Sequence, residues 1–553
     1  MANDRKTAAN YIERKKAAIY GKYEMWQNRV ARLLVILLLC IHPLFLNTER
    51  YIRLTLHKFQ FFCACMIVVL LFVIIIWAIR LTRKPKILSQ ESPTLADWAV
   101  IGFAIVTLLS ALLSPFKADV NVWIGIPEPN GRYDGAVTQL SYAAIFLIIS
   151  HWYRPRVRDF AVFGISASLV GLIGILQFYG MDFLKLWPNY LSAYEVNNFY
   201  NIFFRSTLGN VDIVSTYVCI AILLCGFLFV RMKSKWQPLW LAASALNFWL
   251  MDLADADSGR VGVLVAVVLA IPFIVENRKS FGRTLILGAS WLAVYTLQNL
   301  FYDALVVNAR TVGSLLPYAG AVVVLLALGI LVSGVRGLSR TRGQGSGIRS
   351  RGPRWLDGEQ GAGSRAGWLL GVILIVVIIV AGLAGVEVLG KRSAESANPG
   401  GIIYEVREVL HGRIADEMGT NRVYIWRNAF KVYPDHPLIG SGPDTFKQVF
   451  PEEAQNRYGQ IYDKAHSEYI QLLVCQGILG LICYLIFLVS ASLKAVPKAF
   501  KNPLVMAVLA AFIGYVAQAF FNISLPIASQ MLWVFAGMLA NKRFRDAAVQ
   551  DLA

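Results

Sequence analysis

The sequence predicts an all-α polytopic membrane protein, with about fourteen transmembrane helices and a helical domain in one extracytoplasmic loop. Three observations predict it. Of 553 residues, 57% are hydrophobic and only 16% charged, at a mean hydropathy of +0.54. A soluble protein carries roughly 25% charged residues and about 45–50% apolar ones, and a single water-soluble core stops growing near roughly 250–300 residues. The apolar excess falls into separate stretches of near-membrane length, and basic residues alternate between their ends. This composition excludes a soluble enzyme, a disordered tail and a disulfide scaffold.

Residues 1–32 are polar and basic, too long for the n-region of a signal peptide, and are expected to remain as a cytoplasmic segment. Apolar runs of about 20 residues read as membrane-crossing helices. They fall at 33–47, 60–79, 96–113, 137–153, 159–178, 213–230, 236–253, 261–276, 284–301, 315–332, 367–390, 468–490, 503–522 and 525–540. The first is interrupted by Pro43, and several are short or close together, so the count lies between twelve and fourteen. All seven cysteines lie in apolar runs, which argues against a disulfide framework.

Lysine and arginine fix the expected orientation. With fourteen spans and the N-terminus inside, 34 of the 53 basic residues fall in cytoplasmic segments, and every short inner connection carries at least three. The outer segments hold 19, ten of them in the single long loop 391–466. Cytoplasmic loops gather Lys and Arg, so the net charge of +19 is topological and needs no nucleic acid. Both termini, with the tail 542–553, are expected inside. The Gly/Ser/Arg-rich stretch 333–366 reads as a flexible cytoplasmic linker, with contact to anionic lipid as the alternative. The spans 33–390 before the long loop and those within 467–541 after it complete the expected organisation. The loop itself carries ten basic and ten acidic groups among aromatic and apolar residues, the composition of a small folded element.

The candidates for chemistry face out. In the long loop, Asn421 to Tyr433 reads as a helix with an Asn N-cap, closed before Pro434. At 100° per residue, Trp426, Ala429 and Tyr433 lie within about 40° of Arg422, with Val423, Ile425 and Phe430 flanking it and Arg427, Asn428 and Lys431 opposite. A charge on an apolar face is expensive unless it has a partner, either a carboxylate or a bound anion. Pro434-Asp435-His436-Pro437 and Gly440-Ser441-Gly442-Pro443 read as tight turns that re-aim the chain. They lack the Gly-Lys-Ser/Thr ending of a phosphate-cradling loop. His466 opens the next membrane helix, beside a helix N-terminus that should keep its ring neutral and suited to act as a base; an interfacial histidine without a task is the other reading. Glu468, in the first turn, answers the helix dipole. Arg260, Arg205 and Arg132 are further arginines on the outer side, where basic residues are scarce. Snorkelling to the interface would also account for Arg260. Asp255 and Asp257 have a metal-like spacing, but no metal is expected there.

Taken together, Arg422, Trp426, Pro434 to Gly442, Ala465-His466-Ser467-Glu468-Tyr469 and Gln476-Gly477-Ile478-Leu479-Gly480 resemble the O-antigen ligase / O-antigen polymerase family. Ser258-Gly259-Arg260 is similar to its Ser-Arg motif, and Arg205 with Gly209-Asn210 to an earlier Arg…Gly-Asn segment. The resemblance covers about residues 120–540 and is most specific over 422–480. Ser467 stands where the family usually has Asn, and Gly259 separates Ser258 from Arg260.

The resemblance implies a membrane glycosyltransferase of GT-C-like fold in the cytoplasmic membrane. Its donor would be a glycan on undecaprenyl diphosphate, and its acceptor a hydroxyl of a glycan, lipid or protein at the outer face. Transfer would invert the anomeric centre and use neither metal nor other cofactor. His466 would be the base, Arg260 and Arg422 would bind the diphosphate, and Arg205 and Arg132 would assist. Trp426, Gly440, Gly442 and Glu468 would support the site. A repeat-unit polymerase of the same family is the alternative. A lipid-linked glycan flippase would instead need mid-membrane charge and inverted repeats, and a non-catalytic scaffold would not depend on His466.

Overall fold

The computed structural model describes residues 21–82, 92–127, 131–187, 204–255, 257–274, 278–305, 316–333, 365–394, 401–455, 457 and 461–547. Most of the linker expected over 333–366, residues 1–20 of the N-terminal segment and the end of the C-terminal tail lie outside them. The chain is an all-α membrane protein. Its helices are α1 (Gly21–Leu44), α2 (Leu54–Thr82), α3 (Leu95–Leu113), α4 (Ala136–Trp152), α5 (Val157–Phe178), α6 (Val211–Arg231), α7 (Gln237–Ala254), α8 (Asp257–Ile274), α9 (Arg278–Leu305), α10 (Leu316–Ser333) and α11 (Arg365–Ala394). The loop after α11 carries α12 (Ile402–Leu410) and α13 (Arg422–Val432), and α14 (Glu468–Leu493), α15 (Pro503–Gln518) and α16 (Gln530–Ala540) follow.

A helix occupies each of the fourteen apolar stretches. Among the described residues eight helical segments are long and apolar enough to cross a membrane, and three further apolar helices, one of them α4 and another α16, are shorter. The axle of the bundle is α6, buried at every residue from Ile213 to Val230, as expected for a helix that is apolar all round. Helices α7, α8, α9 and α15 pack on it, α14 lies along α3, and α16 along α4. Small residues set the closest approaches, as membrane helix packing favours: a Cβ on Gly262 of α8 would stand 2.5 Å from the Gly514 carbonyl oxygen of α15.

The first helix runs through Pro43, where the sequence predicts an interruption, and ends one residue later at Leu44, after a π-turn over Leu37–Ile41. Carbonyls freed in this way have no water to turn to inside a membrane. The fully buried Lys58 of α2 meets them, its Nζ donating to the carbonyls of His42 (2.8 Å) and Pro43 (3.1 Å). A break in α14 positions the candidate site. Gly477 has φ +67° and ψ −174° inside that helix. The interruption leaves the Val474 and Cys475 carbonyls and the Ile478 and Leu479 amides without helical partners, and residues 437–442 supply all four. Ser441 N–H donates to Val474 (3.1 Å) and Gly442 N–H to Cys475 (3.0 Å), while Ile478 and Leu479 donate to Pro437 (2.9 Å) and Leu438 (3.1 Å).

Backbone meets backbone along this seam, so side chains have no room. A Cβ on Gly440 (φ +72°) would fall 2.2 Å from the Cys475 carbonyl carbon, and one on Gly477 would fall 2.3 Å from that of Leu438. The two glycine motifs are therefore the two halves of one joint. Replacing Gly440 or Gly477 by Ala adds left-handed strain of about 1–3 kcal/mol to a backbone collision. Either variant is expected to lower the thermal unfolding midpoint in detergent and to expose residues 434–443 to protease. Gly385→Ala, where a Cβ meets nothing within 4 Å, is expected to do neither.

Candidate active site

The seam joins the loop to α14 at residues 474–479, and just ahead of the first turn of that helix residues 462–467 arrive as an anchored strap. The Tyr462 N–H donates to Gln455 Oε1 (2.9 Å). Asp463 accepts from Arg132 Nε (2.8 Å) and Nη2 (3.3 Å). Lys464, 1% exposed, reaches Asp444 at 2.5 Å and Asp134 at 3.3 Å. The Ala465 N–H donates to Gln471 Oε1 (2.9 Å), and its carbonyl accepts from Trp426 Nε1 (2.9 Å). Tied on both sides, His466 holds φ +49°, a left-handed conformation uncommon for a residue with a side chain. Such strain persists where its surroundings over-determine it, typically at functional sites.

His466 is half-buried, and among the described residues none of the hydrogen bonds engages its ring. Burial pushes the imidazole down to about 4, with Arg422 and Arg132 adding to the shift and the charges of Asp212 and Asp463 opposing it. The ring is therefore neutral near pH 7, as the helix N-terminus suggested, but burial rather than the dipole is the main cause. Burial would also raise Asp463, yet Arg132 outweighs it and holds the carboxyl below the usual range. Asp134 goes the other way. Its burial outweighs the attraction of Lys464 and lifts the carboxyl above the usual range.

Arg422 opens α13 beside this strap. Its Nη1 donates to the Gly419 carbonyl (2.8 Å), and its Nε is buried with no partner. Among the described residues no carboxylate pairs with it. Two details of α13 depart from the sequence reading. Asn421 occupies the N-cap position but in the left-handed region (φ 66°), with no side-chain cap bond. The buried face is Tyr424, Ile425, Asn428 and Ala429, so Asn428 is inside, donating to the Tyr424 carbonyl, while Phe430 is 53% exposed. The wheel was rotated by about a quarter turn because tertiary packing on Phe446, Phe450 and Tyr462, rather than overall apolarity, chose the buried side. Arg422 and Trp426 consequently lie on the half-buried flank, where Trp426 also meets the Phe521 ring at 6.1 Å.

The other arginines are placed differently. Arg132 is a tether for Asp463. Arg205, in the hairpin of β1 (Phe204–Arg205) and β2 (Gly209–Asn210), lies 4.9 Å over the Phe178 ring; its burial lowers it to about 10. Arg260 is held by Asp252 (3.2 Å), Asp255 (3.0 Å) and Asp257 (2.8 Å), so the aspartates with metal-like spacing are engaged by a guanidinium. Gly259, which interrupts the Ser-Arg pair, lets α8 approach α6: its N–H donates to Ser215 Oγ at 2.8 Å, and a Cβ there would stand 2.5 Å from the same atom. Next to it, Ser258 shares Asn522 with the Asp212 carbonyl. Glu468 does more than answer the dipole. It turns inward, accepting from Tyr515 (2.6 Å) and Tyr484 (3.2 Å), and lines a small cavity with Asp134, Gln139, Tyr142, Asp444 and Ser524.

Sequence reasoning missed Asp212, Asp463, Lys464, Asp134 and Asp444. A signal existed for two of them, because Asp463-Lys464 directly precede Ala465-His466. The other partners are distant in sequence, and only folding brings them in.

A family model described as O-antigen ligase matches residues 213–485, which takes in α6 from Ile213 on, Arg260, the whole loop and the strap, and leaves out Arg132, Arg205 and Asp212. No curated protein matches the chain.

Two measurements check the electrostatics. An NMR titration of His466 in detergent is expected to give a midpoint near 4, well below the ordinary 6.5. Lys464→Met leaves two buried carboxylates without their cation, and breaking such a buried pair costs about 3–5 kcal/mol. Without the lysine the pKa of Asp134, already raised by burial, rises further above its unfolded value, so stability is retained at low pH and lost as pH rises. The variant's unfolding midpoint should fall far more at pH 8 than at pH 5.

Proposed function

The chain belongs to the O-antigen ligase family through residues 213–485, and from that premise we propose that it moves a glycan from undecaprenyl diphosphate to an acceptor hydroxyl on the extracytoplasmic side of the cytoplasmic membrane. One observation carries the reading: a neutral histidine lies within charge range of Arg422, and among the described residues neither its ring nor the buried Arg422 Nε has a hydrogen-bond partner. A base and an anion site are what displacement of a diphosphate requires.

As the acceptor oxygen bonds to the anomeric carbon, its proton passes to a ring nitrogen of His466. The anomeric carbon–oxygen bond to the diphosphate breaks on the opposite face, which inverts the centre. The electron pair stays on the departing diphosphate, where Arg422 meets the charge, guanidinium groups being suited to bidentate contact with phosphate. Asp212 and Asp463 stabilise the imidazolium as it forms. Arg132 acts through Asp463, and Arg260 and Arg205 serve as further contacts to the donor. Arg260 can change partners at small cost, since exposed ion pairs are worth about 0–1 kcal/mol and Asp255 is 86% exposed. A positioned base supplies roughly 10²–10⁴-fold, and loss of one electrostatic contact costs about 10²–10³-fold. The same reading makes 391–466 an extracytoplasmic catalytic loop on a GT-C-like bundle of fourteen crossings, and it includes no metal step. A repeat-unit polymerase would share the donor chemistry and differ in its acceptor.

In proteoliposomes given lipid-linked glycan, His466→Ala and Arg422→Lys are each expected to reduce transfer by about 10²-fold or more, with unchanged protein in the membrane and no response to chelator. Transfer at the parent rate by either variant overturns the assignment. A ladder without added acceptor identifies a polymerase, and a single shifted band that needs acceptor identifies a ligase.

A further inference from the structure

Helix α12 stands apart from the site and from the bundle. Ile402, Ile403, Val406, Val409 and Leu410 fall within an arc of about 120° at 100° per residue, and all five are exposed, by 40–56%. The opposite side is polar and engaged. Glu405 accepts from the Gly419 N–H (3.0 Å), Arg407 pairs with Glu387 of α11 (3.1 Å), and Glu408 is held by Arg407 and Arg413. The loop thus uses the polar side of α12 and leaves the apolar side facing away from itself.

Its depth follows from α11. The Arg407 side chain lies against Gly390, where a Cβ would stand 2.7 Å from its Cδ. Gly390 ends an apolar run, 367–390, whose one charged residue is Glu387, and Lys391 and Arg392 follow immediately. That boundary is where an apolar helix leaves the hydrocarbon and basic residues meet headgroups. Helix α12 packs against α11, whose Val380, Leu383, Val388 and Leu389 are likewise exposed. Arg407 and Arg413 sit along its polar border, with Lys391 and Arg392 nearby, as in helices that lie in an anionic membrane surface.

We propose that α12 is an interfacial helix, its apolar face seated in the lipid at the rim of α11, so that the first part of the loop rests on the bilayer. The occupant is lipid, because α12 packs on a long apolar helix with exposed aliphatic residues of its own and its border is basic.

The test uses the full chain in liposomes, with a nitroxide at Val406→Cys or Val409→Cys and the unsubstituted chain as background for the native cysteines. Collision rates with oxygen, which concentrates in lipid, and with a water-soluble nickel chelate are compared. Val380→Cys reports lipid and the exposed Lys431→Cys reports water. The α12 labels are expected to follow Val380→Cys, favouring oxygen over nickel. Preferential access by nickel would place the face in water. Exclusion of both reagents would place it against protein, a second copy or another chain. Either result overturns the proposal.

Discussion

A helix inside a membrane cannot leave four backbone groups unpaired, and α14 is broken at Gly477 in a way that would do so. The rest of the candidate site depends on how that debt of hydrogen bonds is settled. The turns at 437–442 supply the missing partners, and because the contact is made between main chains it admits glycine alone at Gly440 and Gly477. Each unmade buried bond would cost about 1–3 kcal/mol, so loop and helix are bound in one register. The register then dictates where residues 462–467 must run and which way His466 must face.

Electrostatic matching around that strap is uneven. Lys464 has two carboxylates, Arg132 has Asp463, and Arg260 has three aspartates. Such pairs contribute geometry more than net stability, since desolvation offsets most of their attraction. Arg422 breaks the pattern: among the described residues its buried Nε has no partner, beside a histidine that burial keeps neutral. A site that neutralised every charge internally would have none left for a ligand. Under the proposed function, Arg422 is the cation held for the developing anion and His466 the base that takes the proton.

Much of this was legible in the chain. Apolar runs of near-span length placed a helix at every predicted stretch, and the turn residues 434–443 did re-aim the loop. His466 and Arg422 could be singled out because charged or titratable groups at the edge of a membrane helix, or on an apolar helix face, are costly without a reason. Less could be read where partners are far apart. Asp134 and Asp444 meet Lys464 across more than three hundred residues in one case and twenty in the other, and nothing local marks either as its partner. The rotation of α13 was hidden for a related reason, because Tyr462 and Phe450 select its buried face from outside the helix. The double duty of Gly477 shows the limit most plainly. A glycine in an apolar run signals close approach or a break, but only the fold reveals that the group approaching is another main chain.

The most direct test of the account is the affinity of the purified chain, in lipid nanodiscs, for undecaprenyl diphosphate itself, compared between the parent, Arg422→Ala and His466→Ala. If Arg422 is held unpaired for the departing anion, its loss weakens binding by about tenfold or more, the value of one charge-assisted contact of about 1.5–3 kcal/mol, while the histidine variant binds like the parent. Equal affinity of the parent and Arg422→Ala would contradict the account at its centre.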